Sequence, residues 1–495
     1  MTLWKYLKLN MLNHSKQIIS ENEAKMSFGT LSIWAENFSN KLKNFKCCAI
    51  LCSSEMASAM SLLACFAAEV TAVPLSMRYG EAHCNKILDT ISPDGIIMDT
   101  TNGELAVYKI KDCQYIAPPE HPALIMCTSG TTGKPKGAML SEKNILTNVS
   151  DIADYFTMDK SDTILIARPL YHCAVLTGEF LTAIVRGANI RFYSEQFNPT
   201  KMLELIKEYG ITAFCGTPTL LSIMARFNRS NASETLRHIC ISGECMGAEV
   251  GRKIRAAFPI CRIYHIYGLT EASPRVSYLP PEHFEEHPDC VGIPLKSVSI
   301  KILNEQGNLC HANEEGILSV KGHNVMLGYY REPEKTAAIL KDGWLCTGDI
   351  ALINDAGFIK IKGRNDDLII KSGMNVYPAE IEGVLKQDPR VKEVLVYGYR
   401  DSIGTQIGMK LVGDFSSTEE VKQLCIKVLP SFQVPAAIEL MDELPKNGSG
   451  QIIRRKMRCI TAWAKRFTAI SPVPYAVIQT CLSTSSCGRQ IPTTH

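Results

Sequence analysis

A chain of 495 residues has room for two or more domains and a large buried core, and its 53 Lys+Arg against 50 Asp+Glu leave it close to neutral. That balance argues against a nucleic-acid-binding or polybasic membrane protein. The 19 cysteines would suit a secreted disulfide scaffold, but Met1-Thr2-Leu3-Trp4-Lys5-Tyr6-Leu7-Lys8 runs into polar sequence without an apolar signal core, so they read as reduced thiols of a cytoplasmic protein. No Cys-x-x-Cys pair has zinc spacing, and the adjacent Cys47 and Cys48 read as strand packing.

Residues 27–42 carry Leu31, Trp34, Ala35, Phe38 and Leu42 at helical spacing, and 48–52 reads as a strand. Residues 56–75 are apolar enough to weigh as a membrane span. Glu69 inside the stretch and Pro74 near its end argue instead for a buried helix followed by a strand over 70–74. Helices and short apolar strands keep alternating, which predicts parallel sheets covered on both faces, with ligands beyond the carboxyl ends of the strands. No internal repeat is present.

The next stretch is Thr128-Ser129-Gly130-Thr131-Thr132-Gly133-Lys134-Pro135-Lys136-Gly137. An apolar run at 123–127 precedes it, and Ser141 can cap a helix whose Ile145, Val149, Ile152 and Phe156 share a face, so the loop is expected to join strand to helix. Its glycines let backbone N–H groups turn inward, its hydroxyls add short donors and its lysines add positive charge, which together make a cradle for phosphate. It is not a Walker loop, because Lys136 is followed by Gly137 rather than Ser or Thr. A flexible surface turn is the alternative reading.

Arg168-Pro169-Leu170-Tyr171-His172-Cys173 follows an apolar run at 164–167. A histidine there suits either a pocket wall facing a carboxylate or a satisfied structural position. Gly216-Thr217-Pro218-Thr219 and Ser242-Gly243-Glu244 follow strand-like runs and read either as site-forming turns or as ordinary loops. Tyr267-Gly268-Leu269-Thr270-Glu271, after a strand-like 263–266, offers an aromatic face, a close-approach glycine, a hydroxyl and a carboxylate. That set suits a purine, a phosphate and a magnesium ion, which takes a carboxylate together with phosphate oxygens.

These motifs, with Gly343-Trp344-Leu345-Cys346-Thr347-Gly348-Asp349, Gly363-Arg364 and Lys371-Ser372-Gly373-Met374-Asn375-Val376-Tyr377-Pro378-Ala379-Glu380-Ile381-Glu382, resemble in their order the motifs of the AMP-forming adenylating superfamily. The likeness runs from about Met26 to Arg458, and is most like that of stand-alone acyl-CoA and acyl-carrier-protein ligases. It implies an α/β fold with a large N-terminal domain of layered, mostly parallel sheets and helices over 1–363, and a small mobile α+β lid over 364–458, hinged near Asp366. The implied chemistry is attack of a carboxylate on the α-phosphate of ATP, then displacement of AMP by a thiol. The resemblance assigns polyphosphate to Thr128, Ser129, Gly130, Thr131, Thr132, Gly133, Lys134 and Lys136, and Mg2+ to Thr131 and Glu271. Tyr267 would stack on adenine, Gly268, Gly243 and Glu244 would lie beside the nucleotide, and Thr270 would contact the AMP phosphate. Asp349 would bond both ribose hydroxyls with support from Arg364, and His172 would lie near the acyl carboxylate. Lid rotation would carry Lys371, Ser372, Gly373 and Met374 to the site for thioester formation.

The lid's own pattern suits a helix over 379–386, strands over 391–399 and 407–415, and a helix capped by a Ser417/Glu420 box ending near Pro430. The last motif, Leu444-Pro445-Lys446-Asn447-Gly448-Ser449-Gly450-Gln451, departs from the family, in which a catalytic lysine stands where this chain has Gln451. Loss of one preorganised donor costs about 10²–10³ in rate, so adenylation is expected to be slow unless Lys446 or Lys456 substitutes. Residues 459–495, rich in Ser, Thr, Pro and Cys, read as a disordered or non-native extension. Peptide-synthetase adenylation domains of the superfamily place an aspartate near the position of His172 to hold an α-amine, and Leu170-Tyr171-His172-Cys173-Ala174-Val175 offers none, so the resemblance favours a fatty or aromatic acid over an amino acid. The thiol would belong to CoA or to a separate acyl or peptidyl carrier protein. A degenerate adenylate-binding scaffold and a free-standing amino-acid-activating domain are the alternatives.

Overall fold

The computed structural model describes residues 1–446, apart from Thr101, Asp112, 129–134, Gln196, 229–233, 372–373 and 402–403, together with Ile452. The expectations for Ser129, Gly130, Thr131, Thr132, Gly133 and Lys134, for Ser372 and Gly373, for Gln451 and for 459–495 therefore lie outside the described residues.

Short β-branched and apolar runs make the centres of two large sheets. In a seven-stranded sheet, Leu124–Thr128, Thr71–Pro74, Cys47–Ile50 and Gly95–Asp99 run parallel, with antiparallel strands outside them. In a nine-stranded sheet, Arg262–Gly268, His238–Ile241, Ala213–Gly216, Thr163–Ile166, Asn189–Phe192 and Ile18–Glu21 are parallel neighbours in that order. The central strands are buried on both faces, as uninterrupted apolar runs require. The helix Glu55–Ala68 packs against strands of both sheets, which explains why it is apolar nearly all round without being a membrane span. Among the described residues no helix is long and apolar enough to cross a membrane. The described cysteines are free thiols, most of them buried.

Two expectations are corrected. The loop at 128–137 joins strand to strand: Leu124–Thr128 and Lys136–Leu140 form an antiparallel hairpin in which Thr128 faces Lys136, and only then does the Ser141-capped helix Glu142–Tyr155 begin. Five residues were too few to reveal Lys136–Leu140 as a strand by periodicity. The large domain keeps the mostly parallel layers expected of it. A third, antiparallel sheet contains Val298–Leu303, Gly316–Gly322, Leu340–Lys341, Trp344–Ile353 and Ile359–Arg364. The second correction is to the lid's capping box: the Ser417 hydroxyl does accept from Glu420 N, but the Glu420 carboxylate accepts from Ser416 N rather than from Ser417, so the reciprocal half of the box slips by one residue.

Beyond Arg364 the hairpin Ile369–Lys371/Met374–Val376, the helices Pro378–Leu385 and Thr418–Val428, and the strands Val391–Arg400, Thr405–Gly413 and Ala437–Leu440 enclose a separate apolar core around Ile381, Leu385, Val394, Met409 and Val421.

Candidate active site

Four of the predicted segments follow neighbouring parallel strands of the nine-stranded sheet. Tyr267 to Glu271 ends Arg262–Gly268, Ser242 to Glu244 follows His238–Ile241, Gly216 to Thr219 ends Ala213–Gly216, and Arg168 to His172 follows Thr163–Ile166. At about 4.8 Å per strand the four turns line about 15 Å of one carboxyl edge, although 94 residues of sequence lie between the outermost pair. Side chains bring the second sheet to this edge. The Tyr171 hydroxyl donates to the carbonyl of Cys127, the residue before Thr128, at 3.2 Å and meets His83 Nε2 at 2.9 Å.

The antiparallel sheet contributes Asp349. Strand register places Asp349 opposite Arg364, and Arg364 Nη1 donates to Asp349 Oδ1 at 3.1 Å and to the Thr347 carbonyl at 2.8 Å. The other Asp349 oxygen accepts a short bond from the Tyr267 hydroxyl. Asp349 is 8% exposed; burial raises its pKa, while Arg364 and Tyr267 oppose the rise. Burial, then the Asp349 charge, pushes the Tyr267 phenol well above its ordinary range, so it stays a donor. Tyr267 sits at a register shift in its strand, and Gly268 leaves no room for a side chain, since a Cβ there would lie 2.2 Å from the Pro274 carbonyl. The bulge and the glycine aim Tyr267 at Asp349.

Glu271 lies on the short turn Thr270–Ala272, and its Oε1 accepts from the Tyr329 hydroxyl at 2.6 Å. Tyr329 comes from the strand Gly328–Tyr329, which pairs with the hairpin strand Lys136–Leu140, and Lys136 Nζ stands 5.0 Å from the Tyr329 ring centroid. The end of the glycine-rich loop is thereby held beside Glu271. The second Glu271 oxygen has no hydrogen bond among the described residues. A carboxylate with one oxygen unbonded among the described residues fits magnesium, which keeps few protein ligands and shares phosphate oxygens. Among the described residues no cluster of three His, Cys, Asp or Glu is assembled, so phosphate oxygens would have to complete the shell.

His172 precedes the turn Cys173–Val175 and closes its own loop by donating its backbone N–H to the Pro169 carbonyl at 3.0 Å. Burial first, and the Arg168 charge second, lower its pKa to about 3, leaving a neutral imidazole across the physiological range. The Gly216 and Ser242 turns are joined, because Glu244 Oε2 accepts from the Thr219 hydroxyl at 2.6 Å, and Gly243 has φ +95°. Lys371 Nζ donates to the Phe432 carbonyl at 3.1 Å within the small domain, where Met374 is exposed. Asp366 occupies the turn Asn365–Asp367 directly after Arg364. Lys446 pairs with Glu393 of the same domain.

Sequence reasoning missed Tyr329, Thr347 as the anchor of Arg364, and Tyr171 as the link between sheets. An aromatic pair after a glycine, Gly328-Tyr329-Tyr330, was the one available signal, and nothing local distinguishes it from core packing.

Residues 12–330 match the AMP-binding enzyme family and residues 380–451 match the AMP-binding enzyme C-terminal domain. The long-chain-fatty-acid–CoA ligase of Escherichia coli O6:H1 is 34% identical over 386 residues, which cover 75% of this chain and 68% of the relative. A feruloyl-CoA synthase of Amycolatopsis sp is 30% identical over 423 residues, covering 80% and 85%. Among solved structures, o-succinylbenzoate CoA synthetase from Bacillus subtilis in complex with ATP and a magnesium ion superposes with a TM-score of 0.79 at 27% identity, covering 91% of this chain and 98% of that one. The chain belongs to the AMP-binding enzyme family and is an AMP-forming acid–thiol ligase of the acyl-CoA synthetase type.

Proposed function

We propose that this chain activates a fatty or aryl carboxylic acid with ATP to an acyl-adenylate, releases pyrophosphate, and passes the acyl group to the thiol of CoA. The observation that carries this reading is the convergence of Asp349, Arg364 and Tyr267 with Glu271, Tyr329 and Lys136 at the carboxyl ends of the strands. In this reading Asp349 accepts from the ribose, and Tyr267 and Arg364 hold its carboxylate in place. Lys136 and the loop from Thr128 to Lys134 take the polyphosphate, and Thr270 the AMP phosphate. Glu271, with Thr131, would hold Mg2+, which when bound neutralises charge on the phosphates. Neutral His172 would donate one hydrogen bond to the acid without adding charge. The names of the relatives, all CoA ligases, support CoA as acceptor, and a carrier-protein phosphopantetheine is the chemically equivalent alternative.

We further assign 1–363 to the adenylating domain and 364–458 to a lid turning at Asp366, which would bring Lys371 to Met374 to the thiol step. Adenylation is slowed by Gln451, a neutral donor where developing negative charge calls for a cation. Lys446 is a poor replacement, since Glu393 already holds its ammonium. Carboxylate-dependent ATP–pyrophosphate exchange over a panel of fatty, aryl and amino acids tests the reading. Exchange with one class of fatty or aryl acid supports it. Exchange with amino acids alone, or tight ATP binding without exchange in both the native chain and Gln451→Lys, refutes it.

A further inference from the structure

The turn carrying His172 is tethered from three sides. Arg168 pairs with Glu179 at 2.6 Å, Tyr171 reaches Cys127 and His83, and the Leu170 N–H donates to Glu55 Oε2 at 2.9 Å. The last tether joins residues 115 apart in sequence. Glu55 opens the helix Glu55–Ala68, whose first N–H groups, on Glu55 and Met56, donate to the Glu21 carboxylate at 3.4 and 2.8 Å. Glu21 ends the strand Ile18–Glu21. A line of hydrogen bonds thus runs from that strand through the helix N-terminus to the residue two before His172, with both carboxylates buried at 3% and 8% exposure.

The groups facing Glu55 are Glu21 from its strand, Arg78 from the turn Met77–Tyr79, Cys52 from the segment before the helix, and the Leu170 N–H. Cys52 is pushed up to about 12 by burial and stays a thiol. We propose that Glu55 is a positioning residue for acid activation, setting the His172 turn through the Leu170 N–H and gripping it more firmly when ionised. This rests on the reading that His172 meets the acid's carboxylate. Burial lifts Glu55 to about 7, against the Leu170 bond and the Arg78 charge, so the grip changes within the neutral range. An ionised acceptor makes a bond roughly twice as strong as a neutral one. Because His172 is bonded back to Pro169, the turn moves as one piece, and misplacement of a contacting group by about 1 Å is enough to slow a reaction many-fold. His172 itself, at about 3, titrates too low to produce a limb near neutrality.

The test is acid-dependent ATP–pyrophosphate exchange from pH 6 to 8.5 in wild type, Glu55→Gln, Glu55→Ala and His172→Ala, with Gln451→Lys as a common background if native turnover is too slow to follow. In wild type kcat/KM for the acid rises about five-fold as pH passes 7. Glu55→Gln, of equal size and neutral at every pH, stays at the low-pH level, and KM for ATP is unchanged. Glu55→Ala is lower at every pH, with a raised KM for the acid. Ionisation of ATP and pyrophosphate is common to all variants and cancels in the wild-type to Glu55→Gln ratio. A ratio independent of pH, or a KM for ATP that shifts as much as that for the acid, overturns the proposal. An unchanged acid KM in His172→Ala refutes instead the placement of the acid, whatever the Glu55 variants do.

Discussion

Arg168→Met is expected to destabilise the protein by about 3–5 kcal/mol at pH 8.5, and by clearly less at pH 5.5. Glu179 is 1% exposed and takes its one side-chain hydrogen bond from Arg168, its other oxygen having no partner among the described residues. Removing the guanidinium from a buried pair leaves an uncompensated carboxylate, which is the origin of the magnitude. The nearby Arg275, whose own Nη2 donates to the Gly178 carbonyl at 2.8 Å, limits the loss. The sign with pH follows from Glu179, whose pKa burial raises while Arg168 opposes. Without Arg168 the folded-state pKa climbs further above the unfolded value. The contribution of Glu179 is then fully present below its unfolded pKa and lost as pH rises through the folded one. Urea unfolding followed by tryptophan fluorescence reads the difference, and adding Glu179→Gln to Arg168→Met should recover most of it. Equal deficits at the two pH values, or a deficit below about 1 kcal/mol, would refute the account of the buried pair.

Three further outcomes are expected from the site. Tyr267→Phe removes a donor from buried Asp349 and should weaken ATP binding by about 5- to 100-fold by calorimetry, with little change in the acid KM. Tyr329→Phe frees Glu271 Oε1 and should raise the magnesium concentration needed for half-maximal exchange, leaving the fold unchanged by circular dichroism. Gln451→Lys should raise pyrophosphate exchange by about 10²–10³ while leaving thioester formation from preformed acyl-adenylate within about two-fold; no gain in exchange counts against a role for that position in adenylation.

Several levels of this protein are legible in one dimension because their causes are local. Ser141 and Ser417 cap helices through their own hydroxyls, and Ile145, Val149, Ile152 and Phe156 are buried as their spacing requires. Glu69 caps the end of a core helix and Pro74 closes the short strand that follows it, because a charge and a missing N–H act wherever they fall. The motifs that resemble the superfamily are equally local, being turns whose glycines and hydroxyls fix backbone geometry over a few residues.

What the chain could not announce depends on distant partners. Lys136–Leu140 is a strand because Leu124–Thr128 and Gly328–Tyr329 supply its hydrogen bonds, and five residues hold no periodicity to reveal that. Tyr329 joins the site by pairing with that strand, 58 residues beyond the Glu271 it touches. Asp349 meets Tyr267 across 82 residues, and Glu55 meets Leu170 across 115. Composition, helix faces and motif identity were thus decided by sequence alone, because side-chain size, polarity and backbone freedom act at short range. Tertiary structure decided which carboxylate is gripped by which donor and how far burial moves its proton, since desolvation and hydrogen bonding are properties of the packed surroundings and belong to no residue by itself.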